Sequence, residues 1–520
     1  MWFSISFRWS EFNSLLTCFL AGLIIRFIPE LLAFPHPVGF DTVYYAAVMK
    51  SGVVWTHWSS FFTSSWLFQA FSVLLYQVFG GDPFVLLKVL APLLFGLNVA
   101  GVYWFSRKML GWDARLSLLA GLLFAVQLAS LRISWDLLRN TLGMGLLLFT
   151  LPFVKRLNSK FGFAGFVLLS LLTVFAHEYA AVTLVAVVLG LVFWHLIKGR
   201  LEANDKRLLL GFSPALAVFL AGVYLRILPV RYVVESNVIN AGDAVNPRPF
   251  GLFFLVDYLA VRSTVDYYVT YWDLFLSVVV LFCLLYLPYL FLVWKGFFRH
   301  EVLSIWTGLL LVGAFGCLVF PFCALEYWHR WMFMLVYPFT FYAVNGLKKV
   351  TGSFNGGDFG FRFSFRLADG KVKGVLLLTV LLGGVYLATP VLMSTVNVGL
   401  FSLNTVNRYI SFAPTVPYQD VDGVEEAMRW LDTSMNENDC VLLQHAFLFW
   451  GQLYLNRAHT IVYFVSDVDS AVETAYRHDY SGVFFVWWNE PIGWYGLNVP
   501  EGFVRVQDFG RISVYKYVKI

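Results

Sequence analysis

Charged residues are scarce in this 520-residue chain, in which Lys, Arg, Asp and Glu make up 13% of the sequence. Soluble domains carry about 25% charged residues, so this scarcity excludes an ordinary soluble protein. Apolar runs of roughly 17 to 22 residues recur along the chain and are long enough to cross a bilayer as helices. The net charge of +5 comes from short basic clusters between these runs, which does not indicate a nucleic-acid partner. The sequence therefore predicts a polytopic α-helical membrane protein.

Cysteine is also rare, with five residues in the chain. None of them has a paired Cys-x-x-Cys spacing, so we expect neither a disulfide framework nor a zinc site. Cys317 and Cys323 could bridge at the end of a helix, but buried free thiols are the interpretation we favour. The first apolar run has no small-residue cleavage site after it, and we interpret it as an uncleaved membrane anchor.

Eleven apolar runs are predicted as membrane-spanning helices. They cover about 12–33, 84–104, 116–131, 138–154, 161–176, 179–197, 208–228, 272–294, 302–320, 331–347 and 374–392. Basic residues cluster in every second connection, including the cytoplasmic linker 348–373, which predicts a cytoplasmic N-terminus. Most acidic connections then lie outside. This orientation requires that the short apolar run 66–79, within a first outer loop over 34–80, lies on the outer membrane surface and does not cross.

The chain changes character after about residue 392, where charged residues return. An amphipathic helix is predicted over 421–435. It is followed by buried strands at 441–443, 460–464 and 483–488, helices near 447–456 and 467–477, and final strands at 503–506 and 512–518. Strands that alternate with helices indicate an α/β domain with a partly parallel sheet. We therefore divide the chain into a membrane domain over 1–392 and an extracytoplasmic α/β domain over 393–520.

A lone acidic residue, Asp41, follows the first predicted span, shortly before Tyr44 and Tyr45. A carboxylate at a membrane surface can accept a proton from a substrate or bind a metal ion. The alternative is structural, because aspartate is also a favoured N-cap for the helix predicted to follow. Both can hold at once. The loop also contains His57 and many aromatic residues, which are typical of a membrane interface.

Three further polar clusters fall at the same predicted depth as Asp41. They are Asp136 with Arg139 and Asn140, His177 with Glu178, and Glu326 with His329 and Arg330. Each has an ordinary structural explanation, since charges three or four residues apart can pair on a helix. Arg26 and Glu30 in the first span could likewise pair, or Arg26 could face the bundle and meet an anionic group. Together, acids and arginines at one membrane face indicate a shared polar cavity.

The order of these features resembles the glycosyltransferase-C superfamily, whose polytopic members use polyprenyl-phosphate-linked sugars. The resemblance rests on Asp41-x-x-Tyr44-Tyr45, the surface helix that ends in Phe79-Gly80, the cytoplasmic turn at 106–112, Asp136-x-x-Arg139-Asn140, Arg330 with Tyr337-Pro338, and the appended α/β domain. It implies that Asp41 is the catalytic or metal-associated carboxylate. It also implies that Arg139 and Arg330 bind the lipid phosphate, with Arg26 as a further candidate.

The resemblance implies an inverting transfer of a sugar from the lipid donor to a hydroxyl acceptor on a lipid, glycan or protein. Supporting roles would fall to the outer polar residues and to the loop residues, namely Asp136, His177, Glu178, Glu326, His329, Tyr44, Tyr45 and His57. A divalent cation, Mg²⁺ or Mn²⁺, could lie between Asp41, Asp136 and Glu178, because carboxylates are the ligands that these ions prefer.

Two departures from the family pattern bear on the substrate. Asp136 stands alone where oligosaccharyltransferases of this superfamily have paired acids, and Trp487-Trp488-Asn489-Glu490 replaces their Trp-Trp-Asp-Tyr-Gly motif. Transfer of a single sugar is therefore expected over transfer of an oligosaccharide to protein. A transporter or flippase is the competing class, although the chain has no inverted repeat of the kind that many transporters show. A non-catalytic scaffold would not need four acids on one face.

Overall fold

The computed structural model of this protein is predominantly helical, with a six-stranded sheet in its C-terminal region. It describes residues 11–55, 57–227, 237–241, 255–256, 271–320, 324–325, 327–351, 370–392, 415–490 and 497–518.

Helices occupy every position at which the sequence predicts a span. Up to residue 227 they are α1 Glu11–Leu32, α2 Thr42–Ser51, α3 Ser60–Thr63, α4 Leu67–Phe79, α5 Pro83–Lys108, α6 Ala114–Val126, α7 Leu128–Asp136, α8 Leu138–Thr150, α9 Lys160–Ala176, α10 Glu178–Ile197 and α11 Ala203–Ile227. The next helices are α12 Tyr271–Tyr286, α13 Leu290–Gly296, α14 Glu301–Val319, α15 Trp328–Met334, α16 Val336–Thr351, α17 Gly370–Leu387 and α18 Thr389–Leu392. Short 3₁₀ turns continue α8 over Leu151–Arg156 and join α12 to α13 over Leu287–Tyr289.

Within the described residues, six helices are long and apolar enough to cross a membrane, or seven if the bent pair of α6 and α7 counts as one span. These helices indicate a membrane-embedded protein, as the sequence predicts. Eleven crossings and the side of the membrane stay predictions. Several helices at predicted span positions are shorter, such as α8 with 13 residues, which is about 20 Å at 1.5 Å per residue.

The bend between α6 and α7 replaces the single straight span predicted over 116–131. The two helices meet at 63°, and Gln127 explains the break. Its side-chain oxygen accepts hydrogen bonds from the amides of Ala129 and Ser130, at 2.5 and 3.2 Å, and so caps α7. Its amide nitrogen donates to the Leu285 carbonyl at 2.7 Å. The turn directs α7, whose nine residues are all buried, toward the first outer loop.

Helix α4 corresponds to the run 66–79 that the sequence predicts as a surface helix. Its 13 residues are too few to cross the roughly 30 Å hydrocarbon core of a bilayer. Phe68 and Val73 are buried on one side, whereas Leu74 and Val78 are exposed on the other. One packed face and one apolar exposed face suit a helix at an interface, and its depth in the membrane stays a prediction.

The C-terminal sheet confirms the prediction of a partly parallel α/β arrangement. Its elements are α19 Val421–Ser434, β4 Asp439–Gln444, α20 Leu448–Tyr454, β5 Thr460–Phe464, α21 Val468–Arg477, β6 Gly482–Trp488, β7 Phe503–Phe509 and β8 Ile512–Tyr517. Strands β4, β5 and β6 are parallel, and β8 and β7 extend the sheet antiparallel from β6. The predicted apolar face of α19 is buried at Val424, Ala427, Met428 and Leu431.

The edge of this sheet beside β5 comes from far away in the chain. Strand β1, Val238–Asn240, lies in the loop between the predicted spans 208–228 and 272–294 and pairs in parallel with β5, giving the order β1-β5-β4-β6-β8-β7. The same loop contributes β2, Leu255–Val256, which pairs antiparallel with β3, Ala324–Leu325. The sequence did not predict either pairing. The sheet therefore includes residues from outside the predicted domain 393–520.

The α/β region packs directly on the first outer loop. Lys50 at the end of α2 donates to the Leu453 carbonyl at 2.7 Å, and Arg457 donates to the Ser51 carbonyl at 2.5 Å. The rings of Phe84 and Trp450 lie 5.9 Å apart. These contacts hold the carboxyl-terminal region over the segment that contains Asp41.

Candidate functional site

The backbone just before Asp41 is held against the end of α7. The amide of Phe40 donates to the Asp136 carboxylate at 2.9 Å. Gly39 has φ +86°, and a Cβ there would lie 2.5 Å from the Asp136 Cβ. Only glycine accommodates both this left-handed conformation and so close an approach. The first outer loop and the third predicted span, which are almost a hundred residues apart, therefore meet at a single point.

Asp136 pairs with Arg132, which the sequence analysis overlooked. Both side chains are buried and four residues apart on α7, and they form an ion pair. The sequence instead suggested a pair between Asp136 and Arg139. The structure excludes that geometry within one helix, because the chain breaks at Leu137 with φ −84° and ψ 54° and Arg139 lies on α8. The four-residue spacing of Arg132 and Asp136 was the available signal.

Arg26 also supports the end of α7. It is fully buried and pairs with Glu30 at 2.8 Å. Its guanidinium donates to the carbonyls of Ser134 and Trp135, at 3.1 and 3.0 Å. The last carbonyls of a helix have no partner inside the helix, and a cation stabilises that negative end. Both sequence interpretations of Arg26 thus hold in part, because it pairs with Glu30 and faces the bundle.

Glu30 is shared with a second cation that sequence reasoning also missed. Lys88 on α5 approaches the Glu30 carboxylate at 3.3 Å and donates to the His36 carbonyl at 2.7 Å. A buried charge needs partners of opposite sign or hydrogen bonds. This arrangement satisfies both groups and anchors the start of the first outer loop to α5.

Asp41 occupies the N-cap position of α2, but its side chain makes no capping hydrogen bond. The structural alternative raised by the sequence is therefore not realised through the carboxylate. Although part of Asp41 remains accessible, burial raises its pKa, and the nearby Asp136 carboxylate raises that pKa further. Three cations act against this and lower the pKa of Asp41, namely Arg330, Arg139 and Arg132. The carboxylate thus lies in a cationic surrounding with its oxygens available.

Arg139 lies beside both tyrosines of the Asp41-x-x-Tyr44-Tyr45 element. Its guanidinium carbon is 5.7 Å from the centre of the Tyr44 ring, and the positive charge of Arg139 also acts on the Tyr45 hydroxyl. The Tyr44 hydroxyl accepts from Gln69 on α4 at 2.5 Å. Nε of Arg139 is buried and has no hydrogen-bond partner in the part of the chain that is described.

Arg330 lies on α15, far from Asp41 in the sequence, and its positive charge acts on the Asp41 carboxylate. Its guanidinium lies 4.6 Å from the centre of the Tyr327 ring. Tyr327 has φ +53°, an uncommon conformation for a residue other than glycine and one that often marks a functional site. Nε of Arg330, like that of Arg139, is buried without a hydrogen-bond partner among the described residues.

Two histidines that the sequence singled out also lie here. His177 caps α10, and its Nδ1 accepts from the Tyr179 amide at 3.2 Å. Burial lowers the pKa of His177, and the charges of Arg139, Arg330 and Arg226 lower it further. Burial likewise lowers the pKa of His329, with Arg330 and Arg132 adding to the effect. Both imidazoles are therefore neutral near pH 7.

Glu178 pairs with Arg226 at the end of α11, at 2.6 Å. The sequence analysis did not name Arg226, although it falls near the end of the span predicted over 208–228. This pair is more accessible than that of Arg132 and Asp136, with 36% of the Glu178 side chain exposed against 2% for Asp136. Glu178 therefore forms the outer margin of the charged group.

Of the predicted site residues, His57 lies apart from this charged group, and Glu326 is not among the described residues. His57 borders a cavity of about 460 Å³ with Trp55, Trp58 and Phe61, and its Nδ1 is 3.1 Å from the Ser59 hydroxyl. Glu326 lies outside the described residues. Their predicted roles stay predictions.

The described residues contain no cluster of three or more acidic, histidine or cysteine groups that could hold a metal ion. Of the predicted ligands, Asp136 is bound to Arg132 and the Phe40 amide, and Glu178 is bound to Arg226. This donor set does not fit Mg²⁺ or Mn²⁺, which prefer several unpaired carboxylate oxygens. We therefore assign no chemical step to a divalent cation.

No protein-family model matches this chain, and no curated protein does. A carboxylate with raised pKa and no capping hydrogen bond can accept a proton, and two arginines whose Nε atoms have no partner among the described residues can bind an anion.

Proposed function

We propose that this protein is a membrane glycosyltransferase that moves a sugar from a polyprenyl-phosphate lipid to a hydroxyl acceptor on the extracytoplasmic face. The observation that carries this proposal is the placement of Asp41 beside Arg139 and Arg330 under the α/β region. The Asp41 carboxylate makes no capping hydrogen bond, and each guanidinium has a buried Nε without a partner among the described residues, so the three side chains can supply a base and an anion site. Apolar helices around them suit a donor with a prenyl chain.

The donor phosphate binds at Arg139 and Arg330, and the prenyl chain lies against the helices. Guanidinium groups match phosphate oxygens with paired hydrogen bonds. The donor hydrogens of Arg139 and Arg330 that have no partner in the described part of the chain then bond the phosphate. Arg26 is not assigned to this step, because its guanidinium donates to two carbonyls of α7 and pairs with Glu30, although its Nη1 has no hydrogen-bond partner among the described residues. It positions the end of α7 instead.

Asp41 accepts the proton of the acceptor hydroxyl as the hydroxyl oxygen attacks the anomeric carbon. The bond from that carbon to the phosphate oxygen breaks, and its electron pair leaves with the lipid phosphate. Attack from the opposite face inverts the anomeric configuration. The departing phosphate gains negative charge, and an arginine about 4 Å away stabilises it by up to roughly 4 kcal/mol at an effective dielectric near 20. The raised pKa of Asp41 makes it a stronger base than an ordinary aspartate.

A transporter of lipid-linked sugars is the second candidate, because α6 and α7 form a bent pair. Broken helices with buried charges mark substrate sites in many transporters. The break lies at Gln127, however, whereas Asp41, whose carboxylate makes no capping hydrogen bond, lies on the loop after α1. A transporter would move the donor across the membrane without breaking the sugar–phosphate bond, so product analysis separates the two functions.

The test is to reconstitute the protein in liposomes with a panel of radiolabelled polyprenyl-phosphate sugars and to identify the labelled products. We expect covalent transfer of the sugar, or its slow release to water when no acceptor is present. Asp41→Asn is expected to fold as the wild type does and to lose roughly 10² to 10⁴ in rate, the usual contribution of a positioned base. Full activity of Asp41→Asn removes Asp41 from the mechanism, and movement of intact donor without bond cleavage supports the transporter instead.

A further inference from the structure

The α/β region contacts the loop that contains Asp41 through the carboxyl end of strand β4. Strands β5 and β6 lie on opposite sides of β4, so the direction in which the chain winds reverses at β4. In doubly wound sheets, ligands bind beyond the carboxyl ends of the strands at such a reversal. His445 is the first residue after β4, and its ring stacks on Phe40 with centroids 5.7 Å apart and planes 26° apart. Phe40 immediately precedes Asp41, so the topologically favoured binding edge faces the proposed base.

Aromatic side chains border this junction from both sides. Tyr44 and Phe449 are in edge contact at 5.1 Å, and Nδ1 of His445 is 3.0 Å from the Tyr463 hydroxyl. These four rings and that of Phe40 are each partly exposed, whereas their chain neighbours Gly39, Tyr45 and Ala446 are buried. Residues that keep part of their surface accessible at a packed junction are able to contact a bound molecule.

We propose that this junction is the acceptor site and that it takes a carbohydrate, with His445 and Tyr463 as recognition residues; this inference rests on the proposed function. A sugar ring combines an apolar C–H face with hydroxyl groups. The faces of Phe40 and Tyr44 suit the first, and the hydrogen-bonding pair of His445 and Tyr463 suits the second. A sugar held there directs a hydroxyl toward Asp41.

The sheet itself disfavours a peptide acceptor at this place. Extended peptides commonly bind by adding a strand to an open sheet edge. Here β4 pairs with β5 and β6, and β5 pairs with β4 and β1, so neither strand beside His445 and Tyr463 has an open edge. Recognition at this position must come from side chains, as it does for sugars.

The test compares His445→Ala and Tyr463→Phe with His478→Ala, a matched histidine change at an exposed position after α21. Each variant is reconstituted with the polyprenyl-phosphate sugar that the wild type uses. p-Nitrophenyl glycosides and a threonine-containing peptide are the acceptor probes. Two readouts are measured separately, namely the KM for each acceptor and the slow release of sugar to water without acceptor.

We expect His445→Ala to raise the KM for the glycoside about tenfold, the cost of one lost hydrogen bond and ring contact. Tyr463→Phe, which keeps the ring, is expected to raise it less. The KM for the donor and the release of sugar to water should change less than the KM for the glycoside, because neither needs an acceptor. His478→Ala behaves as the wild type, and equal thermal unfolding temperatures exclude loss of folding.

A wild-type KM for the glycoside in His445→Ala overturns the inference. So does a wild-type protein that releases sugar to water but transfers it only to the peptide, or to no glycoside. A wild-type protein that neither transfers nor releases sugar from any polyprenyl donor instead contradicts the proposed function, so the two failures are distinguishable.

Discussion

Two groups of charged side chains meet at the first outer loop, and they differ in what their polar atoms contact. The inner group consists of Arg26, Arg132 and Asp136, which are all buried. Arg26 pairs with Glu30 and donates to carbonyls of α7. Asp136 pairs with Arg132 and accepts from the loop backbone. In the rim group, Asp41 caps nothing, and Nε of Arg139 and of Arg330 has no partner in the described part of the chain. The inner group holds the loop, and the rim group is left with bonding capacity for a substrate. Arg26 Nη1 is an exception, being buried and without a partner in that same part of the chain.

The strongest test of this division is to break the inner pair. Arg132→Leu leaves the Asp136 carboxylate buried and uncompensated, which is expected to lower the free energy of unfolding by about 3 to 5 kcal/mol. The double variant Arg132→Leu/Asp136→Leu removes both charges and should recover part of that loss. Unfolding of the purified protein in detergent, followed by circular dichroism, measures both. Equal stability of the single variant and the wild type would show that the pair does not hold the fold.

The rim group should respond in the opposite way. Arg139→Gln and Arg330→Gln are expected to lower the transfer rate by roughly 10² to 10³, the usual effect of removing a group that stabilises developing charge. The free energy of unfolding should change by less than it does in Arg132→Leu, since neither arginine forms an ion pair with a carboxylate among the described residues, whereas Arg132 pairs with Asp136. Arg429→Gln, on the exposed face of α19, is the matched control for rate and stability. A large loss of stability with unchanged rate would place the rim arginines with the inner group.

The pH dependence of kcat/KM tests the electrostatic interaction between Asp136 of the inner group and Asp41 of the rim group. Transfer needs Asp41 unprotonated, so activity is lost as the pH falls through its raised pKa, above the value of about 4 for an ordinary aspartate. Asp136→Asn removes a negative charge that raises this pKa, so the acid limb should move to lower pH. An acid limb that stays in place or moves to higher pH in Asp136→Asn contradicts the coupling.

The smallest effect is expected at the accessible margin of the site. Glu178→Gln breaks the pair with Arg226, but both side chains are partly exposed, and pairs of this kind contribute about 0 to 1 kcal/mol. Thermal unfolding should therefore shift little compared with Arg132→Leu. A loss as large as that of the inner pair would mean that exposure does not separate the two groups.

The sequence predicted much of the architecture because its strongest signals are periodic. The amphipathic pattern over 421–435 and the apolar strands after it correspond to α19, β4, β5 and β6 within a few residues. The meeting of Asp41, Asp136, Arg139 and Arg330 was also predicted, from their common depth in the membrane. Their chemical roles stay predictions.

What the sequence did not predict depends on breaks and on contacts between distant segments. A single residue, Gln127, divides one predicted span into two helices, and Leu137 separates Asp136 from Arg139. The apolar character of the run 116–131 does not reveal the first break, and the second lies in the connection between the predicted spans 116–131 and 138–154. Lys88 was passed over because a lone cation in an apolar run has no pattern, and only the fold brings it to Glu30. Arg132 differs, because its four-residue spacing from Asp136 was a usable signal.

The strand at 238–240 has a practical consequence for anyone who would isolate the carboxyl-terminal module. A truncated protein that starts after residue 414 would lack β1, and the backbone of β5 would then present an open row of amide and carbonyl groups. Uncovered strand edges of this kind recruit other chains and aggregate. A soluble fragment would need residues 237–241 joined back by a linker, so the module is better regarded as assembled from two distant parts of the polypeptide.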